Sequence, residues 1–387
     1  MTTIIRVRAR HVCIPLGVQT GIARRQITER HYGLVEVTGS DGITGIGFCY
    51  VGHRAGGLFT QAVADLLAHR ILGEDAHRVE GLWEEMYQEA LLHGRSGTVL
   101  RAISAINNAM WDRNARAAGL PLYQYIGASA RDRVPAYASG GYYLPGKTPA
   151  DLAEECAGYV ANGFTAVKIK VGGGADLVEE EARVRAVRER IGSDVILMLD
   201  ANNAWSDFPT ALRFIRSFEP YQPYWIEEPF SPDDIDNHAR LAVATSIPVA
   251  TGEIETGRWR FKDLIARDAV AILQTDACVC GGISEFRRIA ATAASHGLTL
   301  APHWFHDLHV HLVAAIPNAK WVEFFPDSQV LNFRELVDVQ LQTERGEIVL
   351  PQTPGLGFGF AEKAVEAYAV APWTDAKKTA VVKAAVA

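Results

Sequence analysis

Apolar and polar positions follow two different rhythms in this chain, and the change falls near residue 128. Before it, Ile4 to Ile14, Tyr32 to Val37 and Thr44 to Tyr50 are strand-like runs, with the turn Gly39-Ser40-Asp41-Gly42 between the last two, which predicts an antiparallel meander. From Leu58 to about Gly127 the period becomes helical, with Phe59, Ala62, Val63, Leu66, Leu67 and Ile71 on one face. Residues 1–127 therefore read as a small α+β domain.

From Val134 onward, short apolar runs alternate with charged amphipathic stretches such as Asp176 to Ile191, whose polarity suits a solvated outer helix. The runs predict strands near 134–138, 165–170, 195–200, 223–227, 247–253, 270–276, 297–303 and 320–324. Eight strands make a closed barrel, assigned to residues 128–353. The segment 354–387 holds no further unit and is expected to return to the first domain. Its Pro354-Gly355-Leu356-Gly357-Phe358-Gly359 run lies outside any βαβ unit and so is not a phosphate-binding fingerprint.

Six of these runs end on an ionisable residue: Lys170 (with Lys168), Asp200, Glu227, Glu253, Asp276 and His303. Their spacing is near the ~30 residues of one strand and its returning helix. Polar groups at the C-terminal ends of parallel barrel strands are where such barrels keep their active sites.

Lys168 and Lys170 are two apart on a strand, so they face the same way about 7 Å apart. Two neighbouring ammonium groups near a metal cation are expected to lower each other's pKa toward that of a useful base. Asp200, Glu227 and Glu253 end consecutive strands roughly 4.8 Å apart, so their carboxylates can converge. Three converging anions require a cation, and an all-oxygen set suits one Mg2+ per subunit. Asp276 and His303 end neighbouring strands, where a carboxylate on one imidazole nitrogen would fix the tautomer and raise the basicity of the other. Glu323 ends the eighth strand, where a protonated carboxyl could donate to a developing oxyanion. The set suits abstraction of a proton α to a carboxylate; no nucleophile elbow, Walker motif or dinucleotide fold accompanies it.

Composition narrows the surroundings. Hydrophobic residues make up 48% of the chain, enough for a large core, and a net charge of −7 gives no footprint for nucleic acid. Five scattered cysteines do not form a disulfide framework, and no apolar run approaches the roughly 20 residues of a membrane helix. The expectation is a cytoplasmic homo-oligomer acting on a small carboxylate, with neither nucleic acid nor membrane as a partner.

At these residues the chain resembles the enolase superfamily, mandelate racemase branch. The similarity is carried by Ala109-Met110-Trp111-Asp112 with Gly119-Leu120-Pro121-Leu122-Tyr123, the Lys-x-Lys pair, Asp200-Ala201-Asn202, Ile226-Glu227-Glu228-Pro229, Gly252-Glu253, the Asp276–His303 dyad and Glu323. The resemblance implies an α/β fold, a modified (β/α)7β TIM barrel under an α+β capping domain completed by the C-terminal tail. It also implies Mg2+ on Asp200, Glu227 and Glu253, Lys170 and His303 as the acid/base pair, and Asn202 as a substrate contact. Lysine or histidine bases beside Mg2+ are an established pattern of enolase-superfamily sites.

Specificity is expected from the cap. One loop runs from Gly17 to Gln26 with Arg24 and Arg25, and a second from Gly52 to Gly57 with His53. These polar residues suit a hydroxylated acid better than an aryl one, and Trp304 and His306 are further candidates for the pocket wall. The leading expectation is dehydration of an aldonate or aldarate to a 2-keto-3-deoxy acid. The alternative is a racemase or epimerase using both bases on one carbon. A Schiff-base aldolase would need no metal, and the three acids count against it.

Overall fold

The N-terminal apolar runs pair as an antiparallel sheet of β1 (Ile4–Ile22), β2 (Arg25–Gly39) and β3 (Thr44–Tyr50) in the computed structural model, which describes residues 1–23, 25–127, 132–174 and 176–377. β1 and β2 continue as one hairpin beyond Pro15, where the register shifts before pairing resumes between Thr20 and Ile27. The polar segment Gly17 to Gln26, expected as a loop, is thus mostly strand. Its backbone groups pair across the hairpin and Gln19 donates to Gln26 at 3.2 Å, so polar composition did not prevent extension.

Helices α1 (Gly56–Gln61), α2 (Val79–Ala90), α3 (Gly97–Ala117) and α4 (Leu122–Ile126) cover this sheet. The helical run expected from Leu58 relaxes into a π-helical turn over Ala62–Leu67 and a 3-10 turn over Ala68–Arg70. Contact between α3 and β3 is close enough to demand glycine: a Cβ at Gly47 would lie 1.9 Å from the Ala105 carbonyl oxygen.

The alternating half forms eight parallel strands, β4 (Arg133–Ser139), β5 (Ala166–Lys170), β6 (Ile196–Asp200), β7 (Ile226–Glu227), β8 (Val249–Thr251), β9 (Ile272–Leu273), β10 (Thr299–Leu300) and β11 (Val322–Phe324). They pair in chain order, and β11 returns to β4. The ring is joined between β10 and β11 by a single bridge: Leu300 N–H donates to Asn318 O and Lys320 N–H to Leu300 O, both at 2.9 Å. Outer helices α5 (Pro149–Ala161), α6 (Leu177–Ile191), α7 (Phe208–Phe218), α8 (Ile235–Ala244), α9 (Gly257–Ala266), α10 (Ile283–Ser295) and α11 (His306–Ala315) alternate with the strands. Asp176, Asp207 and Asp234 cap α6, α7 and α8, each accepting a backbone N–H of the first turn.

One buried residue from each strand or its immediate edge fills the lumen: Tyr137, Ala166, Met198, Trp225, Ala250, Ile272, Ala301 and Trp321. Alanines at 166, 250 and 301 are interspersed among the large side chains, which lets the layer fill the interior. Because strand side chains repeat every two residues, this layer fixes what lies above it. Lys168, Asp200, Glu227, His303 and Glu323 each stand two positions beyond a lumen residue, and so share its face.

Beyond the ring, the hairpin β12 (Thr343–Glu344) and β13 (Glu347–Val349) adds antiparallel to β4, and β14 (Thr374–Asp375) pairs with β1. The helix side is sealed by a buried polar seam in which Asn107 and Asn108 of α3 accept from Ser284 and Ile283 N–H and donate to Ser284 Oγ and the Ala277 carbonyl. His311 makes a similar tie. Its Nδ1 accepts from Tyr123 N–H at 3.2 Å and its Nε2 donates to Leu356 O at 3.1 Å. Burial pushes this imidazole down to about 4.

A histidine lowered below its unfolded value near 6.5 contributes stability that is full above that pH and is lost as pH falls toward 4. Between pH 7 and 4.5 this contribution should fall by roughly 2 to 3 kcal/mol. Urea unfolding of wild type and His311→Gln checks it: the difference between their stabilities should shrink over that interval, and a pH-independent difference would refute it.

Candidate active site

Above the lumen layer the strand ends bring a network of opposite charges together. Lys168 is buried and reaches Glu227 with both oxygens, at 2.8 and 2.7 Å, and Glu323 Oε1 at 2.7 Å. Asp200 Oδ2 lies 3.6 Å from the same ammonium and also pairs with Lys170. Burial alone would lower the pKa of both lysines. The carboxylates outweigh it, chiefly Glu227 and Glu323 for Lys168 and Asp200 for Lys170, so both are held above the ordinary lysine range. The two lysines were expected to lower each other beside a metal cation; in the chain by itself the facing carboxylates set the direction, and a cation held by those carboxylates would weaken that pull.

Glu323 also departs from expectation. Burial opposes its ionisation, but Lys168, His303 and Lys170 more than offset that and hold it below the usual carboxylate range. Its Oε2 accepts from Trp304 N–H at 2.8 Å. It is therefore an ionised acceptor, not the protonated donor anticipated.

Asp276 Oδ2 accepts from His303 Nδ1–H at 3.0 Å, leaving Nε2 facing Glu253 Oε2 at 3.5 Å. Burial pulls His303 down, while Glu253 and Asp276 pull it up further, to about 9. The dyad is clamped from behind by His309, whose Nε2 accepts from Ala277 N–H at 2.9 Å and whose Nδ1 donates to Trp304 O at 3.0 Å. Asp276 Oδ1 accepts from Cys278 N–H at 2.7 Å, and the α3 seam grips the Ala277 carbonyl.

Local backbone strain accompanies this convergence. Asn202, Asn203, Glu228 and Trp304 have φ of 43°, 63°, 42° and 51°, all just past strand ends that carry a site residue. Non-glycine residues in this region cost of order 1 kcal/mol or more each, so the surrounding packing overrides local preference here.

Asp200, Glu227 and Glu253 offer three carboxylate oxygens within 4.8 Å of one another. Burial and neighbouring acids, Asp200 first, keep Glu227 well above the usual carboxylate range, and burial followed by Glu253 does the same for Glu228. Glu228 Oε1 and Asn202 Oδ1 are buried acceptors with no donor. A site richer in acceptors than its two lysines can satisfy, with oxygen donors alone, fits a hard divalent cation such as Mg2+.

A cavity of about 420 Å3 opens over these groups. Lys170, Asn202, Glu253, Asp276, His303, Trp304 and Glu323 line it from the barrel, and Arg25, Arg30, Tyr50, His53 and Arg101 from the cap. A larger cleft beside it, about 670 Å3, shares Arg101 and Ile254 but none of the converging acids.

Of the cap residues singled out from sequence, Arg25 and His53 reach the cavity, and Arg25 donates to Asn203 Oδ1 at 3.2 Å. Arg24 lies outside the described residues. Trp304 lines the cavity. His306 does not: it is buried against Phe324, ring centroids 4.8 Å apart, because its position at the start of α11 turns it into the packed side of the helix.

Tyr142, Arg30, Arg101 and His309 were not foreseen. Tyr142, whose ring lies 5.2 Å from the Lys170 ammonium, follows the end of β4, and the same strand-end rule would have found it. Arg30 stacks 5.0 Å over Trp304 from within β2, where its sequence context resembles any amphipathic strand.

Residues 3–127 match the family model for the mandelate racemase / muconate lactonizing enzyme N-terminal domain, and residues 151–364 match the enolase C-terminal domain-like model. The chain belongs to the mandelate racemase branch of the enolase superfamily. Within that branch it is 39% identical to an L-talarate/galactarate dehydratase of Salmonella typhimurium, over 88% of this chain and 83% of the relative. It is 35% identical to a 3,6-anhydro-alpha-L-galactonate cycloisomerase of Streptomyces coelicolor, over 75% and 79% of the two chains. The crystal structure of an L-talarate dehydratase from Polaromonas sp. JS666, complexed with Mg and L-glucarate, superposes with a TM-score of 0.86 at 34% identity, covering 98% of this chain and all of that one. As the superfamily resemblance implies, a capping sheet sits on a (β/α)7β barrel. Among the described residues no helix is long and apolar enough to cross a membrane.

Proposed function

We propose that this chain is a Mg2+-dependent hydro-lyase acting on a sugar acid, an aldonate or aldarate, to give a 2-keto-3-deoxy acid. The observation that carries the reading is that Lys170 and His303 line one cavity from across the barrel ring, with the strands bearing Asp200, Glu227 and Glu253 between them. The dehydratase relatives and the polar cap wall support the substrate class.

Asp200, Glu227 and Glu253 would hold the ion. When bound there, Mg2+ supplies the positive charge that acidifies the carbon next to the substrate carboxylate and takes up carboxylate charge that otherwise holds Lys170 protonated. The remaining steps belong to the chain. One of Lys170 Nζ and His303 Nε2 removes the α proton; the C–H electrons form the Cα–Cβ double bond as the β C–O bond breaks. The other donates the proton that leaves with the hydroxyl as water, and the enol tautomerises to the keto acid. Asp276 keeps His303 Nδ1 as the donor side, so that Nε2 is the working atom. Lys168, locked between Glu227 and Glu323, adds fixed positive charge beneath the reacting carboxylate.

Incubating the Mg2+ protein with a panel of aldonic and aldaric acids and following 2-keto acid formation tests this. The same two bases could instead exchange one proton on a single carbon, and a cycloisomerase relative shows that the branch is not uniform. In D2O, an α-deuterated epimer accumulating without keto acid would overturn dehydration in favour of epimerisation.

Arg25, which bridges cap and barrel through Asn203, is placed to touch the distal end of the substrate. Arg25→Ala should raise KM by roughly tenfold with kcat nearly unchanged, since a contact made equally in ground and transition states affects binding alone. A fall in kcat with constant KM would contradict that role.

We further propose a division into a cap (1–127), barrel (128–353) and returning tail (354–387), supported by the β14–β1 pairing. A cytoplasmic homo-oligomer is also proposed. Five free thiols suit a reducing compartment, and the exposed Leu58, Leu92 and Val243 are surfaces that association would cover.

A further inference from the structure

Outside the barrel, the sheet of the cap gathers a second set of ligating side chains. Cys13 on β1 is paired in register with His31 on β2, and Glu29 stands two residues before His31. Two-residue spacing puts Glu29 and His31 on one face of β2, and the register places Cys13 beside them. A sulfur, an imidazole nitrogen and a carboxylate oxygen of the three all lie within 4.8 Å of one another. The contacts converge on a single atom: His31 Nε2 is 2.9 Å from Glu29 Oε1 and 3.4 Å from Cys13 Sγ.

The other face of His31 is already organised. Its Nδ1 lies 2.7 Å from His11 Nε2, the two rings stack at 4.9 Å, and His11 is buried against Gly56, where a Cβ would come within 2.0 Å of the ring. Nε2–H donates to the Glu29 carboxylate and Nδ1 accepts from His11 Nε2–H. A metal ion at Nε2 would displace that proton and reverse the imidazole pair, so that Nδ1–H donates to His11 as the orienting partner behind the ligating nitrogen.

We propose that Cys13, Glu29 and His31 form a second metal site, selective for a Zn2+-class ion over Mg2+. Thiolate and imidazole are borderline-soft donors that Mg2+ does not favour, and the three carboxylates over the barrel are the converse, so the two sites sort ions by donor type. Glu29 is 41% exposed, which gives an ion a path in and leaves a tetrahedral fourth position to water or to His53, whose ring is 6.4 Å from His31. On binding, Cys13 gives up its thiol proton to solvent. His53 also lines the catalytic cavity, so the ion would sit against the wall of that cavity.

The test uses the full chain in saturating Mg2+. Cys13 is the one cysteine of the five that is not buried, so its alkylation is legible in the wild type without mutation. Zn2+ should slow that alkylation at least ~10-fold, and Co2+ titrated in its place should give a near-ultraviolet thiolate-to-metal charge-transfer band saturating at one ion per chain. Cys13→Ser should abolish the band, and both Cys13→Ser and His31→Gln should weaken Zn2+ binding at least ~10-fold. Glu253→Gln, which alters only the oxygen site, should leave band and protection intact. Unprotected Cys13 together with a missing band in the wild type overturns the proposal, as does Zn2+ affinity unchanged in both cap variants.

Discussion

Glu253→Gln should weaken Mg2+ binding at least roughly a hundredfold, about 2.7 kcal/mol, while leaving the fold almost as stable as before. Asp200→Asn and Glu227→Gln should lose Mg2+ equally but also destabilise the chain. The difference follows from what each carboxylate touches. Among the described residues Glu253 forms an ion pair only with the partly exposed His303, at 3.5 Å, whereas Asp200 and Glu227 are the buried counter-charges of Lys170 and Lys168. Removing one partner of a buried ion pair leaves an uncompensated charge and costs about 3 to 5 kcal/mol. Glu323 still faces Lys168 in Glu227→Gln, so that variant should sit at the low end. Titration calorimetry with Mg2+ and urea unfolding of each variant separate the two effects. Undiminished Mg2+ affinity in all three would remove the metal assignment, and equal stability losses would refute the division of labour.

The strand-end acids were legible before any coordinates because the rule behind them is geometric: a two-residue period along a parallel strand, and one strand per unit of about 30 residues, place them without knowledge of side-chain packing. Asp200 and Glu227 stand on the strand ends where that rule puts them. Glu253, Asp276 and His303 stand two, three and three residues beyond the ends of β8, β9 and β10. There, Gly252 at φ 126° and the Asp276 to Cys280 turn decide the direction of the side chain. Protonation states were not legible. The expectation for Lys168 and Lys170 weighed them against each other and a metal cation, while the carboxylates that face them come from other strands. His306 and His309 show the same limit: a helical stretch with histidines at 306, 309 and 311 does not reveal which one turns toward the dyad. The cap hairpin was missed because polar side chains are tolerated on a two-stranded tip whose backbone groups are already paired.

His303→Asn and Lys170→Ala should each lower net turnover by roughly a thousandfold or more, the usual scale for losing a general acid or base. They should fail differently. If one group removes the α proton and the other only assists the leaving hydroxyl, the variant lacking the second still exchanges the α hydrogen with D2O. The variant lacking the first does neither. Proton NMR of the substrate with each variant distinguishes them, and wild-type turnover in both would sink the pair as acid and base. Asp276→Asn supplies the internal control. Its amide can accept from His303 Nδ1–H through oxygen, but lacks the charge that supports an imidazolium, so it should lower turnover less than His303→Asn does. Its remaining activity should also move to lower pH, because His303 would lose part of what lifts it to about 9 against the pull of burial. Glu253 and Glu323, which also raise His303, are untouched in that variant, so the displacement should be smaller than full release to the ordinary histidine value. An unchanged pH profile in Asp276→Asn would mean that Asp276 holds His303 in place without tuning it.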